Sequence, residues 1–219
     1  MILYLVGVNH EATRYKQPRG LTKENLVFID VIESTITEHS FDLLAEEEQP
    51  ECLIKYSAVS LFDAIHRAHG IPHEFVDPNQ REREGIKYRN DREICGLEEF
   101  RTQVSHPLLE KDENCGHEVE KIAHAHEIAH QFPIRERFWL NELRKTNAQN
   151  ILFVCGDIHL RTFPRLLEAE GIRPEFIKDG IGVDYTAIEY SAFDFAKSCN
   201  LFSQADCFCK GKLPVDQMD

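Results

Sequence analysis

Apolar residues fall into short runs and helical stripes that alternate along the chain. Ile2-Leu3-Tyr4-Leu5-Val6 and Ile151-Leu152-Phe153-Val154-Cys155 are continuous apolar runs rich in β-branched and aromatic residues, the pattern of strands buried on both faces. Between them, apolar positions 27, 28, 31, 32 and 36 predict a helix over Leu26 to His39, and Phe41 to Ala45 predicts a strand running into Glu46-Glu47-Glu48. Ser57 reads as the N-cap of a helix carrying Leu61, Phe62, Ile65 and Ala68, with Gly70 as its stop. A strand from His73 to Asp77 follows Pro72. Residues 78–116 are charged and aperiodic, as in a long excursion or lid with some helix in it. Helical spacing returns from Gly116 to Lys145, where Pro133 is expected to end or kink the helix. A strand, a helix over Leu160 to Glu170 and a strand over Arg173 to Lys178 form a second strand-helix-strand unit, and a last helix spans Asp184 to Cys199. This alternation predicts one α/β domain over residues 1–219. Its sheet is mostly parallel with helices on both faces and a crevice at the strand ends, and residues 200–219 form a loosely ordered tail.

The chain of 219 residues carries a net charge of −13 with histidine counted neutral. Such a balance argues against nucleic acid or an anionic membrane surface as the main partner, because both repel an acidic protein. No segment approaches the ~20 apolar residues of a membrane span, and the N-terminal run reads as a first strand rather than a signal peptide. Seven cysteines, at 52, 95, 115, 155, 199, 207 and 209, form no repeated C-x-x-C pairs. They are expected to be free thiols without a structural disulfide, in a cytoplasmic setting, and Cys207-Phe208-Cys209 is only a weak soft-metal signal.

The chemistry concentrates at strand ends. Gly7-Val8-Asn9-His10 and Gly156-Asp157-Ile158-His159 each follow an apolar run. In a parallel sheet both imidazoles would then sit at the carboxyl edge, together with Glu46 to Glu48 and Asp77. Imidazole and carboxylate can jointly bind a divalent cation or perform acid and base chemistry, and His10, His159, Glu46 or Glu47, and Glu136 supply such a set. The plainer reading of each element is a capped turn for Gly-x-x-His, a solvated charge run for Glu46 to Glu48, and surface ion pairs for Arg135-Glu136-Arg137 beside Phe138-Trp139-Leu140. A competing pattern, His126-Glu127-Ile128-Ala129-His130, matches the zinc-protease H-E-x-x-H, with Glu136 as a conceivable third ligand. Pro133 stands against it, occupying the position where the extended motif needs glycine. His66 and His69 read as surface or satisfied core residues. There is no Gly-x-Ser-x-Gly elbow, no Walker loop and no Gly-x-Gly-x-x-Gly, and Cys155 lies inside an apolar strand where burial makes a thiol inert.

In this order of motifs the chain resembles the TraB/TIKI superfamily, a group that takes in erythromycin-esterase-like and ChaN-like proteins. Gly7 to His10, Glu46-Glu47, Arg135-Glu136 and Gly156 to His159 match its pattern, as does the helix opened by Leu160-Arg161-Thr162-Phe163. The resemblance covers roughly residues 1–178, and residues 78–116 have no counterpart in it. It implies a metal-dependent hydrolase of peptide or ester bonds in a small-molecule or peptide substrate. A divalent ion (Zn, Mn or Co) would be held by His10, His159, Glu46 and Glu47, with Glu136 assisting and Arg135 or Arg83 stabilising an oxyanion. The alternative from another class is a non-catalytic small-ligand-binding or regulatory protein using the same crevice. The sequence sets no oligomeric state.

Overall fold

The computed structural model describes residues 1–16 and 20–203. It divides into two compact units, one made of residues 1–80 and 136–184, the other of residues 81–135 and the described residues from 185 onward.

The first unit holds strands β1 (Ile2–Val8), β2 (Arg14–Lys16), β3 (Leu43–Glu46), β4 (Ala58–Ser60), β5 (His73–Phe75), β6 (Asn150–Gly156) and β7 (Arg173–Ile181). Five of them form one sheet in the order β5-β3-β6-β1-β7, every pairing parallel, while β2 and β4 make a separate antiparallel ladder. The chain crosses from β1 to β3 and leaves a gap that β6 fills much later. Both predicted Gly-x-x-His strands are therefore direct neighbours, with Val8 opposite Gly156, and the strand that ends in glutamates flanks β6 on its other side, with Glu46 opposite Val154.

Side-chain alternation sends the sheet's apolar residues into two cores. Leu3, Leu5, Ala45, Ile151, Phe153 and Cys155 pack on one face with Trp139, Leu140 and Leu143, while Val6, Val8, Leu44, Leu152 and Val154 pack on the other with Phe28, Ile32, Phe62 and Ile65. A sheet buried on both faces explains the unbroken apolar runs of β1 and β6. At the edge strand β7, Leu5 pairs with Phe176 and Val6 with Lys178, so Ile177 is an extra residue in a bulge.

Local signals set the helix ends. Thr22 and Asn25 form a capping box that starts the helix Lys23–Glu38. The helix Leu61–His69 starts at Ser60, whose Oγ accepts the Asp63 amide at 3.1 Å, and Gly70 ends it with φ +68°. This corrects the expectation that Ser57 is the N-cap: Ser57 instead takes φ +50° in the turn before β4. Pro133 does not end the helix that contains it. The helix Gly116–His126 passes through a π-turn, Glu127–Gln131, into the helix Phe132–Lys145, and the wider turn absorbs the missing amide and the ring's clash with the preceding turn. The helix expected from Leu160 begins later, at Phe163, because residues Asp157–Arg161 wind as a 3-10 turn.

In the second unit, residues 81–116 form several short helices, and Ile94, Phe100 and Ala123 make a small core of their own. The predicted last helix spans Ile188–Ser198 and packs on Gly116–His126. Cys52, Cys95, Cys115, Cys155 and Cys199 are all free thiols, and Cys155 is fully buried. Cys207, Cys209 and most of the expected tail lie outside the described residues. Among the described residues no helix is long and apolar enough to cross a membrane.

The first glycine of the paired motif has a packing reason. A Cβ at Gly7 would stand 2.5 Å from Leu160 Cδ1 and 2.6 Å from Asp157 Oδ1, and that Asp157 oxygen is fixed by the Gly180 amide at 2.6 Å. Gly7→Ala is expected to destabilise the protein by about 1–3 kcal/mol, read as a lowered midpoint in chemical denaturation; an unchanged midpoint would show that Leu160 and Asp157 move aside freely.

Candidate functional site

Three parallel strand ends in the first unit deliver three side chains to one point. His10 opens the short helix His10–Thr13 after β1, Glu47 directly follows β3, and His159 lies in the 3-10 turn after β6. Glu47 Oε2 accepts the Gly156 amide at 2.7 Å. Its Oε1 stands 3.7 Å from His10 Nε2 and 3.6 Å from His159 Nε2. A backbone donor thus pins one oxygen of the carboxylate and aims the other at both imidazoles. The second motif glycine lies against both groups: a Cβ at Gly156 would stand 3.4 Å from Glu47 Oε2 and from His10 Nε2, an ordinary contact distance.

His159 is held from behind. Its Nδ1 is 2.8 Å from Glu136 Oε1, a carboxylate that also accepts the Thr162 hydroxyl, so Nδ1 carries a proton and Nε2 faces Glu47. Trp139 crosses the His159 ring edge-on with centroids 4.6 Å apart, and its indole nitrogen donates to Asp77 at 3.1 Å. Asp77 also accepts from Gln49 Nε2 at 2.7 Å. His159, Glu47 and Glu136 are almost fully buried, whereas the His10 side chain is 36% exposed and marks the side open to solvent. Burial pulls the His10 imidazole toward its neutral form. The charge and hydrogen bond of Glu47, helped by Glu48 and opposed by Arg14, outweigh that and hold its pKa above the usual histidine value.

Of the three consecutive glutamates only Glu47 reaches the two histidines. Glu46, expected as an alternative ligand, points through the opposite face, because alternation assigns it to the side of Leu44 rather than Ala45. There it accepts the Ser60 hydroxyl at 2.5 Å and pairs with His73 Nε2 at 2.8 Å. Glu48 pairs with Arg14 Nε at 2.6 Å, which ties the segment after β3 to β2. Neither partner is prominent in the sequence: Ser60 and His73 sit in segments read only as a helix start and a strand. His66 contacts the Ile71 carbonyl at 2.6 Å and His69 pairs with Glu33 at 2.6 Å, as expected for satisfied residues.

The remaining site expectations fall in the second unit. Arg83 and Arg135 both stand over the Tyr88 ring, at 5.3 and 5.6 Å from its centroid. Burial, then the nearby Glu127 charge, pushes the Tyr88 hydroxyl well above its usual pKa, against the pull of Arg135 and Arg83. In the zinc-protease pattern, His126 and His130 lie with ring centroids 5.8 Å apart. Glu127 accepts the Tyr88 hydroxyl at 2.5 Å and the Asp91 amide at 3.0 Å, and Glu136, the expected third ligand, is hydrogen-bonded to His159 and Thr162. Asp91, His124 and Glu127 form a group whose ligand atoms lie within 4.8 Å of one another and could hold a metal ion. From sequence His124 reads as part of a histidine-rich solvated helix and Asp91 as one charge among many; the i, i+3 spacing of His124 and Glu127 is the available signal.

Comparisons with protein-family models, with curated proteins and with solved structures return no match.

The burial of His126 makes a stability prediction. Burial lowers its pKa from 6.5 to about 4. Between those values the unfolded chain binds a proton that the folded chain does not, so stability falls as pH drops through this window. The expected loss is on the order of 3 kcal/mol by the lower end. Chemical denaturation at stepped pH should show this slope, and His126→Gln should flatten it; an identical slope in the variant would assign the effect to other groups.

Proposed function

We propose that the first unit is a metal-dependent hydrolase that cleaves peptide or ester bonds at the carboxyl edge of its sheet, as the resemblance to the TraB/TIKI superfamily implies. The observation that carries this reading is the Glu47 Oε1 atom set between two imidazole nitrogens. Its separations of 3.6 and 3.7 Å are too long for good hydrogen bonds and bring each imidazole nitrogen to the carboxylate at about the spacing of two ligands on one ion, while the two imidazoles stand wider apart than in a closed three-ligand group. Two imidazoles and one carboxylate are the donor set of open catalytic zinc sites, and Glu136 behind His159 supplies the outer carboxylate that such histidines usually have. A divalent ion bound there would lower the pKa of a water and polarise a carbonyl.

The chain's own groups do the rest. Glu136 and Thr162 fix the tautomer and direction of His159. The Gly156 amide fixes Glu47, so neither group has to reorganise during the reaction. His10 lies on the side open to solvent, so a substrate would approach the site past it.

Tag-free protein should hold one equivalent of transition metal at the sheet edge and hydrolyse members of an ester and peptide panel. His159→Ala and Glu47→Gln are expected to lose that equivalent and the activity, with turnover falling about 10²-fold or more. Glu136→Gln should lose about 10- to 100-fold in metal affinity or activity, while His126→Ala and His130→Ala stay active. Metal and activity that depend on His126 and His130 but not on His159 would establish the zinc-protease arrangement instead. Ligand binding without turnover would establish a binding protein.

A further inference from the structure

We infer that the second unit contains its own divalent-cation site, formed by Asp91, His124 and Glu127, independent of the histidines at the sheet edge. His124 Nε2 is 3.5 Å from Asp91 Oδ2, and His124 Nδ1 is 3.5 Å from Glu127 Oε2. A charge-assisted hydrogen bond draws its partners to about 2.7–2.9 Å. These separations are longer, and as they run from opposite ring nitrogens only one of them can be an edge of an ion's coordination shell; one ligand atom from each of the three residues still lies within 4.8 Å of the other two.

The ligands are held in place before any ion arrives. Glu127 is 6% exposed, and its Oε1 accepts the Tyr88 hydroxyl while its Oε2 accepts the Asp91 amide at 3.0 Å. Each oxygen keeps a second lone pair for a cation. Asp91 opens the helix Asp91–Cys95, whose start is fixed by the Asn90 and Glu93 capping box. His124 and Glu127 lie one turn apart, where the helix Gly116–His126 enters its π-turn. Asp91 and His124 remain 19% and 16% exposed, which leaves a path for entry.

One imidazole and two carboxylates suit a borderline divalent ion, Zn²⁺, Co²⁺ or Mn²⁺, rather than a soft or monovalent one. The bound ion would tie the start of one short helix to the long helix beside it. Its role is a structural clamp, because folding and binding share ligands that only the folded chain brings together.

Metal content and thermal melting of the tag-free full chain, dialysed against Zn²⁺ or Co²⁺, test this. His124→Ala and Asp91→Asn should each lose one equivalent and most of the metal-induced rise in melting temperature, while His159→Ala keeps that equivalent. Circular dichroism confirms that each variant is folded, and Asp91→Asn, at a partly exposed position, serves if His124→Ala does not fold. Equal metal content and an equal metal-induced shift in wild type, His124→Ala and Asp91→Asn would overturn the proposal, as would a wild-type protein whose metal is lost entirely in His159→Ala. Loss confined to His124→Ala and Asp91→Asn would support it even if the sheet edge binds nothing.

Discussion

The arrangement depends on the parallel register of three adjacent strands. β6 lies between β1 and β3 with Val8 opposite Gly156 and Glu46 opposite Val154, so the chain emerges from all three at one level. Everything at the candidate site follows from that alignment. The Gly156 amide meets Glu47 across the gap between β6 and β3, and a slip of one residue in β3 would exchange the faces of Glu46 and Glu47. The register is itself enforced by burial, because Leu44 and Ala45 feed different cores and neither can be turned to solvent cheaply.

Behind the three strand ends, rigidity comes from groups that never face the crevice. Trp139, fully buried, links Asp77 to the face of His159 through one hydrogen bond and one ring contact. Glu136 sits one turn earlier on the same helix and accepts the hydrogen bond from the imidazole Nδ1. Arg14 and Glu48 brace the other flank. Buried charges are costly when unpaired, and each buried carboxylate here has a specific donor: Glu46 has Ser60 and His73, Glu47 has the Gly156 amide, Glu48 has Arg14, and Glu136 has Thr162 and His159.

Much of this was legible in the sequence because period and punctuation carried it. The apolar runs of β1 and β6 announced strands buried twice over, and the repeated Gly-x-x-His marked where they end. Which glutamate joins the histidines was not legible, since the boundary of β3 and hence the parity of positions 46 and 47 are not fixed by composition. Ser57 and Ser60 are equivalent as letters, and only the turn preceding β4 decides that Ser60 caps the helix. Pro133 misled for a related reason: a π-turn has no sequence period of its own, so a proline that such a turn accommodates looks like a break. The pairing of Asp91 with His124 bridges two separate helices, and that kind of contact leaves no local trace.

The bulge at Ile177 bears on how the molecule behaves among its own copies. Within the described sheet β7 is an edge, nine residues long, with Phe176 59% exposed, and a flat strand of that length would offer a template for edge-to-edge stacking. Pro174 removes one amide from the row, the extra residue twists the strand between Phe176 and Lys178, and charged side chains interrupt it from Arg173 to Asp179. The margin is thereby made a poor seed for aggregation.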